Sequence, residues 1–320
     1  MVSLIITVKN ESANIRDWFQ SLKVQTRFPD EIVIVDGGST DGTWEYLQSI
    51  ASDVVRVFQE KGNIAHGRNF AISHAVGDII VATDAGCIYV NDWLERILVP
   101  LETGEVQSAA TAFKPWLKAD DSLVVALIAS ATTPIQREFS KKWFPSSRSC
   151  AFFKSVWSEV GGYPEWIPYC EDVIFDIQIE KKGNEILLIN DLLVAWRPRL
   201  TTSEYCRQLY NYTRSDAHGK LFYGRQFIRF ATYAALTALI TLVITYSLWI
   251  VLVIALLGSI YMMKFWNRFF EFSKTKKIPS RILGFLLLPF IVLIGDGAKM
   301  CGWIVGLFER WSGKIQYQSY

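Results

Sequence analysis

The sequence predicts an α/β protein, a mostly parallel sheet with helices on both faces, followed by helices that enter a membrane. Three observations predict it. Short β-branched runs alternate with helical patterns over the first part of the chain. Acidic residues recur at the ends of those runs. Uncharged apolar stretches are confined to the C-terminal third. The 320 residues are 51% hydrophobic and 20% charged, with a mean hydropathy of +0.20. Such a chain buries a core and is not disordered. Its 33 basic and 31 acidic side chains nearly cancel, so no basic field invites nucleic acid. Five cysteines at scattered positions form neither a disulfide framework nor a metal-ligand spacing.

Taken in order, Ser3–Val8, Glu31–Val35, Val54–Phe58 and Ile79–Thr83 are apolar runs bounded by polar residues, the pattern of buried strands. Helical patterns follow each: Asn14–Leu22, Thr43–Ile50, Ile64–Ala75 and Trp93–Leu101. Strands and helices in this alternation form βαβ units with right-handed crossovers. Ligands of such sheets bind beyond the carboxyl ends of the strands. There the first strand supplies Thr7, Lys9, Asn10 and Glu11, the second Asp36 and the fourth Asp84. A single acid after a strand is often a turn former or helix cap. Several at one rim are harder to assign to turns. The Gly-rich DGGSTDGT (Asp36–Thr43) lacks the G-x-G-x-x-G spacing, and no P-loop pattern occurs. It reads as a strand-end carboxylate, a tight turn, and Ser39 or Asp41 capping a helix.

Residues 205–230 read as a basic, aromatic, amphipathic helix at a membrane interface. From Ala231 to Met263 no Asp, Glu, Lys, Arg or His occurs. As one helix this run would be ~50 Å long, more than a ~30 Å hydrocarbon core. It is either one tilted span or a hairpin turning near Thr245–Ser247. Basic residues on both flanks favour the hairpin, with a basic cytoplasmic loop at 264–281. A second apolar segment, 282–308, contains Asp296 and Lys299 on one helix face and a Gly302/Gly306 small-residue spacing. The Asp–Lys pair is either a mutual ion pair or a polar spot for a lipid phosphate or helix partner. Val2–Val8 lacks the positive leader of a signal peptide, so the first part of the chain is expected on the cytoplasmic side.

Four segments carry a resemblance: LIITVKNES (Leu4–Ser12), IVIVDGGSTDGT (Ile32–Thr43), GRNFAISHAVGDIIVATDAG (Gly67–Gly86) and GGYPEWIPYCED (Gly161–Asp172). In this order and spacing the chain resembles the family 2 glycosyltransferases of GT-A fold over roughly residues 1–200. The resemblance implies a catalytic domain at 1–204 that binds a nucleotide-diphosphate sugar. It implies that Thr7 and Glu11 border the nucleotide, that Asp36 binds its base or ribose, and that Arg68 approaches the base or diphosphate. Asp84 stands at the family's D-x-D metal motif, here Asp84-Ala85-Gly86, so the second carboxylate is missing. Mg²⁺ or Mn²⁺ on Asp84 and the diphosphate remains chemically reasonable, since such ions keep few protein ligands. In the ED pair, Asp172 is the implied catalytic base and Glu171 the positioning acid. Arg148 faces an acceptor or phosphate, or makes a plain salt bridge. Arg214, Asp216 and His218 lie where several members place a loop over the diphosphate. Arg214 would offset leaving-group charge, and Asp216 or His218 would replace the missing metal ligand.

The expected protein is a membrane-attached inverting glycosyltransferase at the cytoplasmic face. Its acceptor would be a polyprenyl phosphate, a lipid-linked glycan or another membrane lipid. The competing expectation is an inactive scaffold on the same fold that binds nucleotide-sugar or partner subunits.

Overall fold

The computed structural model describes residues 1–139, 145–245 and 249–315. Its strands are β1 Val2–Val8, β2 Glu31–Asp36, β3 Val55–Gln59, β4 Ile79–Asp84, β5 Cys87–Tyr89, β6 Ser108–Pro115, β7 Ser149–Phe153 and β8 Ile186–Trp196. Its helices are α1 Ile15–Lys23, α2 Thr43–Ile50, α3 Ile64–His74, α4 Trp93–Glu102, α5 Leu123–Thr132, α6 Lys154–Val160, α7 Glu171–Lys181, α8 Thr202–His218, α9 Tyr223–Thr245, α10 Trp249–Phe272 and α11 Ile278–Trp311. They form two compact units. The first joins Met1–Trp116 to Gln136–Arg197, and the second joins Leu117–Ile135 to Pro198–Tyr317.

In the first unit one sheet runs in the order β3-β2-β1-β4-β7-β6-β8-β5. The β3-β2-β1-β4 half is parallel, as the alternation predicts. Every residue of β2 is buried, because helices cover both faces of a central parallel strand. Beyond β4 the sheet is mixed: β7 runs antiparallel to β4 and β6, and β5 antiparallel to β8. α1 buries Ile15, Trp18, Phe19 and Leu22, one helical stripe, under the sheet. On α3, Gly67 faces β1 so closely that a Cβ there would stand 2.8 Å from Thr7 Cγ2. The missing side chain lets α3 lie directly on the strand that carries Thr7.

The second unit is helical. The segment 117–135 groups with it rather than with the sheet. The reason is α5: Ala126, Leu127 and Ile128 join one core with Met262, Phe265, Phe269, Leu288, Ile291 and Val292. α11 packs along α8 through its glycines, where a Cβ on Gly302 would strike Tyr210 O and one on Gly306 would strike Arg214 O. Pro289 inside α11 offers no N–H to the carbonyl of Phe285. Trp266 Nε1 donates to that carbonyl instead, at 3.2 Å, while its ring stacks on Phe285.

Two details depart from expectation. The segment 205–230 is not one helix. It breaks at Gly219–Phe222, where Lys220 and Phe222 take positive φ of 54° and 53°. Lys264 and Arg268 stand on the last turns of α10 rather than in a loop, because Phe265 and Phe269 on the same turns are held in the core. Only residues 273–277 connect α10 to α11. α9 ends at Thr245 and α10 begins at Trp249, and residues 246–247 of the turn expected at Thr245–Ser247 lie outside the described residues. Val251–Phe272 and Ile278–Trp311 are long and apolar enough to cross a membrane, by length and composition. They suggest membrane association.

Candidate active site

The sheet register fixes where the strand-end acids stand. Val8 pairs with Asp36 and Thr7 with Asp84, on opposite sides of β1. Both carboxylates therefore leave the same edge of the sheet, two strand spacings or about 10 Å apart. Arg68 on α3 reaches that edge from above β1. It is 4% exposed. Its Nη2 donates to Asp84 Oδ1 at 3.0 Å and its Nη1 to Glu171 Oε1 at 2.5 Å. The guanidinium also lies 5.3 Å from the centre of the Tyr163 ring. One buried cation thus ties the end of β4 to the start of α7. Glu171 begins α7 directly after Cys170, whose φ of 62° is a strained value for a residue with a side chain.

Acids outnumber cations here. Burial, with the nearby Asp172 and Asp84, pushes the Glu171 carboxyl up to about 7, and Arg68 pulls against it. Burial and Asp172 raise the Asp176 carboxyl well above the ordinary range. Its Oδ2 has no hydrogen-bond partner among the described residues. Arg148, at the start of β7, sits between two rings, 4.8 Å from Phe113 and 4.4 Å from Trp196. Its Nε is 4.0 Å from Asp84 Oδ2, too long for a hydrogen bond, and is without a partner among the described residues. Asp84 is 32% exposed in its side chain and Asp172 is half-buried, whereas Glu171 and Asp176 are buried.

The remaining expected residues behave differently. Asp36 is fully buried and spent on its own loop. It accepts from the backbone N–H of Gly38 and Ser39, from Ser39 Oγ and from Gln59 Nε2. Ser39 therefore holds Asp36 rather than capping α2. Asp41 accepts from the N–H and hydroxyl of Thr43. Glu11 follows β1, where Asn14 Nδ2 donates to it at 3.0 Å. Asp172 stands on the first turn of α7 beside Glu171 and accepts from the N–H of Val173.

Arg214, Asp216 and His218 belong to the second unit and lie on the continuous helix α8 rather than on a loop. Arg214 forks onto Glu309 with two 2.6 Å bonds, and the buried His218 Nε2 lies 3.1 Å from the same carboxylate. These contacts bind α8 to α11. Asp216 is buried on the same helix.

Sequence reasoning missed Asn63, Asn69, Tyr163 and Glu165. Asn69 donates to Tyr163 O and Glu165 Oε1 and accepts from Tyr163 N and Trp157 Nε1. Asn63 donates to Glu165 O, and His66 pairs with Glu165 at 2.9 Å. So α3 is stitched to the loop before α7 by successive residues of GRN and its upstream turn. Both segments carry the resemblance. Nothing in their spacing says that they face one another.

A family model described as "Glycosyl transferase family 2" matches residues 3–159. The chain carries a family 2 glycosyltransferase domain. The match begins in β1 and ends in α6, so it covers Asp36, Arg68, Asp84 and Arg148. The chain is 25% identical over 225 residues to the succinoglycan biosynthesis protein ExoA of Rhizobium meliloti, covering 67% of this chain and 68% of that protein. It is 24% identical over 195 residues to the O-antigen chain rhamnosyltransferase WbaN of Salmonella anatum, covering 58% of this chain and 62% of that one. In structure it resembles the mannosyltransferase PcManGT from Pyrobaculum calidifontis, solved with GDP-Man and Mn²⁺. There the TM-score is 0.61 at 18% identity, over 93% of this chain and 86% of that one. The glycosyltransferase is therefore of GT-A fold, with apolar helices after the catalytic unit.

Proposed function

We propose that this glycosyltransferase moves a sugar from a nucleotide-diphosphate donor to a lipid-linked glycan at the cytoplasmic face of a membrane. The observation that carries the reading is the Arg68 clamp on Asp84 and Glu171 at the carboxyl edge of the sheet. A donor diphosphate brings negative charge to a site already rich in acids. That charge needs a counter-charge, and the donor set offers one place for it. The Asp84 side chain is 32% exposed, and its Oδ2 is not hydrogen-bonded among the described residues. No group of three metal-ligating side chains occurs among the described residues. Mg²⁺ and Mn²⁺ suit such a site, since they are commonly held by one or two carboxylates plus substrate phosphates and water. PcManGT, solved with Mn²⁺ and GDP-Man, supports the same reading. When bound, the cation supplies stabilisation of the charge that develops on the leaving diphosphate.

The chain's own residues do the rest. Arg68 holds Asp84 and Glu171 in place and keeps a fixed positive charge below the diphosphate. Asp36 shapes the glycine-rich loop whose backbone borders the nucleotide, together with Thr7 and Glu11. Asp172, on the first turn of α7, takes the proton of the incoming glycan hydroxyl, and displacement on the opposite side inverts the anomeric centre. Names such as that of WbaN, an O-antigen chain rhamnosyltransferase, favour a glycan hydroxyl over an ionised phosphate as acceptor. The apolar α10 and α11 keep the enzyme beside a substrate that cannot leave the bilayer.

The test is turnover of a panel of labelled nucleotide-diphosphate sugars by the full chain, with membrane lipid extract as acceptor. Lipid-soluble label is expected from one donor. Asp172→Asn is expected to lower kcat by about 10²-fold or more with KM for the donor little changed, the usual worth of a general base. Unchanged kcat removes Asp172 as base. No transfer from any donor, with donor binding intact, favours the scaffold reading.

A further inference from the structure

Within the second unit, Asp296 on α11 is 2% exposed and gathers four partners. Arg229 Nε on α9 lies 3.3 Å and Lys299 Nζ 3.2 Å from its Oδ1. Tyr233 and Tyr261 donate their hydroxyls to Oδ2 at 3.0 and 2.6 Å. Three helices therefore meet on one carboxylate. The charges do not balance: two cations face one anion. Among the described residues Asp296 is the one acid that Arg229 or Lys299 contacts.

The surroundings are apolar. On the same helix faces one turn away, Leu257, four residues before Tyr261, and Leu293, three before Asp296, are each 52% exposed. Arg229 and Lys299 keep 18% and 21% of their side chains exposed at this spot. A net positive node in a low-dielectric setting is costly unless an anion completes it. The anion must also tolerate an apolar collar. An amphiphile meets both conditions, with its charged head on the two cations and its chains along Leu257 and Leu293.

We infer that the Arg229–Asp296–Lys299 node is a binding site for the phosphate of a membrane lipid. The site requires α9, α10 and α11 to contact lipid. It does not require glycosyl transfer, so binding tests it independently of the donor site.

The experiment is thermal stabilisation of the full chain in neutral detergent, titrated with phosphatidic acid, with phosphatidylcholine, or with inorganic phosphate. Saturable stabilisation by phosphatidic acid is expected, because a ligand of the folded state stabilises it by mass action. Phosphatidylcholine and inorganic phosphate should each be weaker. Lys299→Met leaves a balanced Arg229–Asp296 pair, and its affinity for phosphatidic acid should fall about tenfold, the worth of one charge-assisted contact. Asp296→Asn frees both cations and should bind at least as tightly as the parent. If the node were only a brace between helices, Lys299→Met would leave the lipid affinity unchanged, and that result overturns the inference. Equal effects of phosphatidic acid and phosphatidylcholine also overturn it. Inorganic phosphate binding as tightly as phosphatidic acid removes the lipid from the proposal.

Discussion

Replacing Arg68 by Met would strand Glu171, which is 4% exposed and has Arg68 as its partner at 2.5 Å. Breaking a buried ion pair from one side costs up to about 3–5 kcal/mol, part of it relieved here because Glu171, already raised to about 7, takes up a proton when Arg68 is gone. The variant should therefore unfold at clearly lower denaturant concentration than the parent, with Glu171→Gln less affected. Glu171 also predicts a pH dependence. Its folded-state value is about 7 against an ordinary 4.5, so the folded chain keeps a proton that the unfolded chain gives up in between. The fold then binds more protons than the unfolded state over that window, and this group's contribution to stability is lost as pH rises through it. Unfolding temperatures of Glu171→Gln and the parent, compared from about pH 5 to about pH 8, should shift in the variant's favour as pH rises. A constant difference would mean that Glu171 titrates normally.

At the scale of elements, two contacts of α11 give opposite kinds of test. Gly302 and Gly306 lie on the backbone of α8, whereas a Cβ on Gly297 meets nothing within 4 Å. Gly306→Leu should force the two helices apart and cost about 1–3 kcal/mol or more, as overpacking does. Gly297→Ala should be neutral or stabilising, because glycine is a poor helix former. Thermal unfolding in detergent distinguishes them. Trp266→Phe keeps the stack on Phe285 but leaves that carbonyl without its donor, which should cost about 1–3 kcal/mol.

The parallel half of the sheet was legible because buried strands and amphipathic helices have different periods, and β1 to β4 and α1 to α4 match their expected spans closely. The mixed half was not, because β5, β7 and β8 are defined by pairing partners far away in the chain. The same contrast holds in the site. Asp84 and Asp36 could be placed at one edge from strand ends alone. The bonds of Asn69 and Asn63 to the 163–167 loop depend on a meeting of distant segments that no local pattern encodes.

For the molecule as a whole, the division into units has a consequence for any attempt to remove the apolar C-terminal helices. Truncation after Arg197 would leave 117–135 without α8, α10 and α11, which belong to the same unit. Ala126, Leu127 and Ile128, buried in that helical core, would face water. The truncated chain should aggregate, and also replacing 117–135 by a short polar linker should restore a soluble product, as size-exclusion chromatography would read.

The central claim is that the acids at the carboxyl edge of the sheet, led by Asp84, receive a metal-bound donor diphosphate. Its most direct test is thermal stabilisation of the full chain by the nucleotide-diphosphate sugar it turns over, measured with and without Mn²⁺, in the parent and in Asp84→Asn. The account predicts that Mn²⁺ enlarges the stabilisation by the donor in the parent and adds nothing in the variant. An equal Mn²⁺ increment in both would place the diphosphate elsewhere and contradict it.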